Sequence, residues 1–240
     1  MFPQKLAAWA GVDGFPAPEA AAFAQRIEGW GYDALWIPEG FGREVFAAAS
    51  WLLAATKTLH IASGIANIYA RDPFASAAAQ KTLNEQSGGR FVLGLGVSHI
   101  PLVTGLRRHE YGAPVPTMRA YLQGMAAAPF GGVPPPNKPL TVLAALGPKM
   151  LALSAELADG AHPYNTTPEH TAKAREILGK GKLLLVEQAC ILETDAAKAR
   201  ALARQFLTTY LGLPNYVNEW RRSGFDDADF ADGGSNRLVD

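Results

Sequence analysis

"GIANIYARDP", residues 64–73, joins two kinds of local order. Upstream, "TLHIASGIA" (58–66) is a short apolar run that reads as a buried strand. Downstream, Asp72-Pro73 reads as a helix start, with Asp as N-cap and Pro at the first helical position. Between them Asn67, Tyr69 and Arg71 put polar groups at the mouth of an apolar segment. The stretch is therefore the joint of a strand–helix unit, and either a plain turn or a site.

The same unit recurs in both directions. Before it, the run Lys5–Ala10 leads into "PAPEAAAFAQRIEGWG" (16–31), where Phe23, Ile27 and Trp30 fall on one helical face. "YDALWIP" (32–38) is a second strand, followed by a helix over Glu44–Thr56 with Phe46, Ala49 and Leu53 on one stripe. After the opening stretch, a helix runs towards Ser87-Gly88-Gly89 and "RFVLGLGV" (90–97) gives the fourth strand. A loop rich in Pro, Gly and charge precedes a helix around Thr117–Met125, and "PFGGVPPPNKP" (129–139) is a connector. Strand "LTVLAAL" (140–146), helix Pro148–Ala158, strand "GAHPY" (160–164) and a helix opened by Thr167-Pro168 follow. "KLLLVEQACIL" (182–192) is the seventh strand, and Asp195 caps a helix to about Tyr210.

These strands are apolar throughout, the pattern of a parallel sheet covered on both faces. Repeated βα units without a break in composition favour one (β/α)8 TIM barrel over residues 1–240, with a doubly wound open sheet as the alternative. Only seven strands are found, and the chain stops at "SNRLVD" in a helical pattern. The last βα unit is missing, so the barrel is expected to be C-terminally incomplete, either truncated or closed by something else. An unfilled gap would leave two unpaired strand edges.

Lys+Arg and Asp+Glu both count 22, so no polyanion-binding face is indicated and nucleic acid is an unexpected partner. One cysteine, Cys190, excludes an intrachain disulfide framework and fits a reducing cytoplasm. The amino terminus has too short an apolar run for a signal peptide, and no run approaches a membrane span. The histidines show no spacing for a catalytic metal, and G-x-S-x-G and the P-loop are absent.

Ligands of parallel α/β folds sit at the carboxyl ends of the strands. The polar groups expected there include Glu39, Asn67, His99, His162, Glu187 and the Gly147–Lys149 turn. His99 and His162 could exchange protons near neutrality or bond a backbone carbonyl. Glu39 could hold an amide or stand in solvent. Gly147-Pro148 opens a helix whose free N–H groups can hold a phosphate, with Lys149 adding charge. Gly94-Leu95-Gly96 reads as close packing at the barrel mouth.

"YDALWIPEGFG" (32–42), residues 62–99, "MRAYLQGM" (118–125) and "VLAALGPKMLALSAELADGAHPY" (142–164) resemble the bacterial luciferase-like superfamily. Within it they are most similar to the branch using the 5-deazaflavin coenzyme F420. The resemblance spans roughly Leu6 to Tyr210. It implies a luciferase-like (β/α)8 barrel, commonly dimeric, with a flavin or deazaflavin at the carboxyl ends of the strands. It also implies a bulge in the third strand with a non-proline cis peptide, placed here at Gly64–Ile65, and Asn67 at the cofactor's edge. Gly147 and Pro148 match the phosphate-binding loop. The Asp-His pair of many relatives is Glu39-Gly40 here, and the glutamate proton donor of sugar-phosphate-oxidising relatives is matched by His99.

The resulting expectation is a cytoplasmic homodimer that transfers a hydride between F420 and a small organic substrate. His99 would be the proton partner, with Glu39 positioning it or the cofactor. Gly64, Ile65, Asn67, Gly147, Pro148 and Lys149 would bind the cofactor. Trp36, Phe41, Tyr69 and His162 would shape the substrate pocket. The alternatives are an FMN-dependent monooxygenase of the same superfamily and an inactive flavin-binding barrel.

Overall fold

The computed structural model describes residues 6–240. Its β segments are β1 (Ala7–Trp9), β2 (Ala34–Ile37), β3 (His60–Ser63), β4 (Ala66–Asn67), β5 (Phe91–Gly96), β6 (Leu140–Leu143), β7 (Gly160–Ala161) and β8 (Leu183–Leu184). All pairings are parallel, in the order β1-β2-β3-β5-β6-β7-β8, with β4 also pairing β5. The connections are helical: α1 (Ala17–Gly29), α2 (Val45–Ala55), α3 (Pro73–Ser87), α4 (Pro114–Ala127), α5 (Pro148–Leu157) and α6 (Pro168–Leu178).

The sheet is curled as an incomplete parallel α/β barrel: among the described residues β1 pairs only with β2 and β8 only with β7, which leaves a seam between them. Lys5, expected to start the first strand, lies outside the described residues. The expected strand over 182–192 is much shorter: its ladder is two residues, continued by an isolated bridge from Tyr164 to Glu187.

Side chains alternate across each strand. Leu35, Ile37, Ile61, Leu93, Leu95 and Leu143 face the helices in the large core. Ala34, Trp36, Ala62, Val92 and Val142 face the barrel interior, with Trp9, Leu140, Leu183 and Leu185 against them. That double burial explains why the strands lack a polar face.

The helix starts are where the sequence puts them. Asp72 Oδ1 accepts the Ala75 N–H at 2.8 Å, Glu44 caps α2, and Thr167 caps α6. Trp30 departs from its expected stripe: as the residue after α1 it is 65% exposed, while Ile27 is buried. The loop after β5 contains a short π-helix, Pro101–Leu106.

The chain beyond β8 forms α7 (Ala196–Leu211), capped by Asp195, then α8 (Pro214–Arg222), α9 (Asp227–Phe230) and α10 (Asn236–Val239). Leu207, Tyr216 and Trp220 make a separate core here, which takes in Leu146 and Tyr164 from the ends of the sixth and seventh strand segments. These helices therefore sit over the carboxyl ends of β6 and β7. No helix among the described residues is long and apolar enough to cross a membrane.

Candidate active site at the barrel mouth

The joint between β3 and α3 is a bulge. Ala62 pairs with Val92 and Ala66 with Leu95, so β3–β4 advances one residue more than β5. The Gly64–Ile65 peptide within it is cis. Ser63 spans the break: its hydroxyl donates to Gly94 O at 2.8 Å and accepts the Gly94 N–H at 2.9 Å. The two glycines of β5 are there for room. A Cβ on Gly94 would lie 2.1 Å from Ser63 O, and one on Gly96 would lie 2.4 Å from Ile65 Cδ1.

Gly64 faces the barrel's inner floor. Its carbonyl accepts the Trp9 indole N–H at 3.1 Å, and a Cβ on it would lie 2.8 Å from Trp9 Nε1 and 3.4 Å from His162 Nε2. His162 is buried, stacks on Trp36 with ring centroids 4.3 Å apart, and bonds Leu185 O through Nδ1 at 2.6 Å. That contact makes Nδ1 the donor and leaves Nε2 without a proton. Burial drives its pKa down to about 4, so the ring is neutral.

Glu39 and Arg71 brace the outside of the bulge. Glu39 Oε2 accepts the Asn67 N–H at 2.7 Å and the Arg71 Nη1 at 2.9 Å, while Oε1 pairs with Nη2 of the same guanidinium. Arg71 also reaches Glu44 at 2.8 Å and lies over the Phe46 ring. Glu39 thus holds the backbone of Asn67 in place. Asn67 is buried, and its Oδ1 accepts the Tyr69 N–H at 2.9 Å, closing a side-chain turn.

His99 is half-buried after β5 and approaches Tyr216 of α8 at 5.9 Å between ring centroids. Burial lowers its pKa, opposed by a hydrogen bond with Asn215. The Tyr69 hydroxyl accepts the Gly112 N–H at 2.9 Å and its ring stacks on Tyr111. Phe41 is 84% exposed, on a loop whose Arg43 bonds Asp13 and Phe15.

The turn at Gly147 starts α5 with no side-chain cap, and Pro148 and Lys149 are exposed. Two features escape the sequence here. The Arg222 guanidinium of α8 lies beside the turn, 3.6 Å from where a Cβ on Gly147 would be. Asn165 O accepts the Trp220 indole N–H, and Asn165 Nδ2 and Thr166 Oγ1 are buried with no partner. Arg222 is in turn held by Glu219 at 2.6 Å. The Arg222 guanidinium and the uncapped start of α5 therefore stand together, and α8 carries both Arg222 and the indole that bonds Asn165.

A cleft of about 540 Å³ runs along the open seam, lined by Leu6–Trp9 on one edge and Leu183–Gln188 on the other. Trp36 and His162 form part of its wall. Glu187, bridged to Tyr164, lines it too. No cluster of three or more His, Cys, Asp or Glu among the described residues is arranged to hold a metal.

Residues 1–235 match the family described as luciferase-like monooxygenase, and the chain belongs to that family of oxidoreductases. It is 27% identical to a putative coenzyme F420-dependent oxidoreductase of Mycobacterium tuberculosis, across 82% of this chain and 69% of that protein. It is 29% identical to the 5,10-methylenetetrahydromethanopterin reductase of Methanolobus tindarius, across 91% of this chain and 75% of that one. Among solved structures, an F420-dependent secondary alcohol dehydrogenase in complex with an F420-acetone adduct superposes with a TM-score of 0.74. It is 15% identical, covers 95% of this chain and 83% of its own, and is a likeness of fold.

Proposed function

We propose that the chain is an F420-dependent oxidoreductase that transfers a hydride between the deazaflavin and a small organic substrate. The observation that carries this reading is the braced bulge. Gly64 offers a side-chain-free surface beside Trp9 and His162 at the carboxyl ends of the strands, and Glu39, Arg71 and Ser63 hold it from behind. Two relatives described as using F420, or as reducing methylenetetrahydromethanopterin, support the choice of cofactor over FMN.

When bound, the deazaflavin would supply two-electron hydride chemistry. In this reading Gly64, Ile65 and Asn67 would hold the ring. Gly147, Pro148 and Lys149 would hold the phosphate, with Arg222 beside them as a further donor. Trp9, Trp36 and His162 wall the space beneath, which favours a fixed near-attack geometry. Trp36, Phe41, Tyr69 and His162 shape the substrate pocket. His99, at the rim with its pKa lowered by burial, is suited to accept a hydrogen bond or a proton from the substrate. The same reading takes residues 1–240 as one incomplete barrel domain, acting as a cytoplasmic homodimer.

Equilibrium titration with F420 and with FMN, followed by cofactor fluorescence, tests the proposal. Saturable F420 binding with indifference to FMN is expected. Retention of FMN with indifference to F420 would instead favour a flavin monooxygenase, and binding of neither would favour an inactive barrel.

A further inference from the structure

We infer that Glu187 is the proton-exchanging acid of this mouth: its carboxyl gives a proton to, or takes one from, an oxygen or nitrogen of the substrate in the cleft beside His162. The inference rests on the hydride-transfer reading above and adds the residue that balances it.

Position comes first. Leu183 and Leu185 pack against the interior cluster, while Leu184 packs against the helix-facing core. By the two-residue period Glu187 continues the inner row. Its backbone is fixed by the Glu187 N–H donating to Pro163 O at 2.9 Å and by the bridge to Tyr164. It lines the same cleft as Trp9, Trp36 and His162.

Its chemistry is unlike that of the other mouth carboxylates. Glu39 is taken up by Arg71, Glu44 by Arg71 and the Ala47 N–H, Asp13 by the Arg43 N–H, and Glu219 by Arg222. Glu187 Oε2 is buried and has no hydrogen-bond partner. The groups facing it are phenols: Tyr164 after β7, Tyr210 of α7 and Tyr216 of α8. Their own ionisation is pushed up by burial, so they stay neutral. His162 is neutral too, and the described residues of the first edge that line the cleft are Leu6, Ala7, Ala8 and Trp9. Arg175 and Lys182 lie towards the opposite end of the seam, where Arg175 bonds Gly179 O and Lys182 O, and Lys182 bonds Ala158 O. Asp33 is there as well, donating its N–H to Leu6 O.

With no cation paired to it among the described residues, burial raises the Glu187 carboxyl to about 7. Both protonation states are then available at neutral pH, the condition for efficient acid–base work. The balance is simple. As a substrate carbon accepts a hydride from the reduced cofactor, its bond to the heteroatom loses a π pair to that atom. The O–H bond of Glu187 breaks, the proton joins the heteroatom, and a carboxylate remains. Oxidation runs the same exchange backwards.

Infrared difference spectroscopy of the cofactor-free chain, in D2O across neutrality, reads the acid directly. A protonated-carboxyl band that titrates with a midpoint near neutral and disappears in Glu187→Gln is expected. Adding F420 should shift that band, because the carboxyl faces the same mouth. A chain with no such titrating band, or with one that F420 binding leaves unmoved, would overturn the inference. The wild-type titration needs no variant, and Glu187→Asp, which moves the band instead of deleting it, assigns it if the glutamine protein does not fold. F420 binding is scored separately by fluorescence, so a titrating Glu187 in a chain that ignores F420 overturns the cofactor reading and leaves the acid standing.

Discussion

The hydroxyl of Ser63 takes both backbone groups of Gly94, donating to its carbonyl at 2.8 Å and accepting its N–H at 2.9 Å. One side chain thus replaces the ladder where β3 leaves it. Ser63→Ala strips two buried backbone groups of their partner at once. A loss of about 2–3 kcal/mol in urea unfolding is expected. Gly94→Ala should do worse, since its new methyl would meet Ser63 O, a backbone atom that cannot swing aside.

The Glu39–Arg71 pair is expected to behave as a coupled unit. Their side chains are 4% and 11% exposed, so Glu39→Ala leaves a mostly buried guanidinium with Glu44 alone and an Asn67 N–H without its acceptor. About 3 kcal/mol of destabilisation is expected. The double variant Glu39→Ala/Arg71→Ala should cost less than the sum of the singles. Additive costs in a denaturation cycle would show that the two act separately.

Gly64→Ala should leave the fold standing but push the Trp9 indole off its seat, because the added Cβ would sit 2.8 Å from Trp9 Nε1. Weaker F420 binding, by tenfold or more on the order of 1.4 kcal/mol, is expected with a changed tryptophan emission. Unchanged affinity with a moved Trp9 would argue that the cofactor does not rest there.

His162 makes the protein sensitive to acid. Its folded pKa of about 4 lies below the unfolded value of 6.5, so the unfolded chain binds the extra proton first. Stability therefore falls as pH drops from about 6.5 to about 4, by roughly 3 kcal/mol from this group. Glu187, raised from 4.5 to about 7 in the folded chain, contributes a slope of opposite sign over much of that range. The His162 share is therefore read as the difference between the wild type and His162→Gln in chemical denaturation at a series of pH values.

How much of this was legible in the sequence depends on the range over which each cause acts. Asp72, Glu44 and Thr167 are caps set by neighbours three residues away, and they stand where a local reading puts them. The strand series is legible because double burial makes each strand apolar along its whole length. Glu39 is recognisable as a mouth carboxylate, but its partner Arg71 lies 32 positions on and no local pattern links them. Trp30 misleads, since an aromatic residue predicts a buried surface and here it falls just past the end of α1 and stays exposed. Arg222, Trp220 and Tyr216 reach Gly147, Asn165 and Tyr164 only after α8 folds back over the strand ends. The signal that could have exposed α8 was its Tyr216/Trp220 spacing, one helical turn. Glu187 is visible as a residue of the seventh strand, but its buried, unpartnered Oε2 is a property of the assembled mouth.

The extra residue in the β3–β4 line acts as a reading frame does in a coding sequence. Ala62 points into the barrel, yet Ala66 and Ile68, of the same parity, point out towards the helices. Removing one residue between Ser63 and Ile65 would restore a single phase: Ala66 and Ile68 would turn inward, and Asn67 would be pressed into the greasy helical layer. Every polar contact downstream to Arg71 would be out of frame, although no residue of that segment had changed identity.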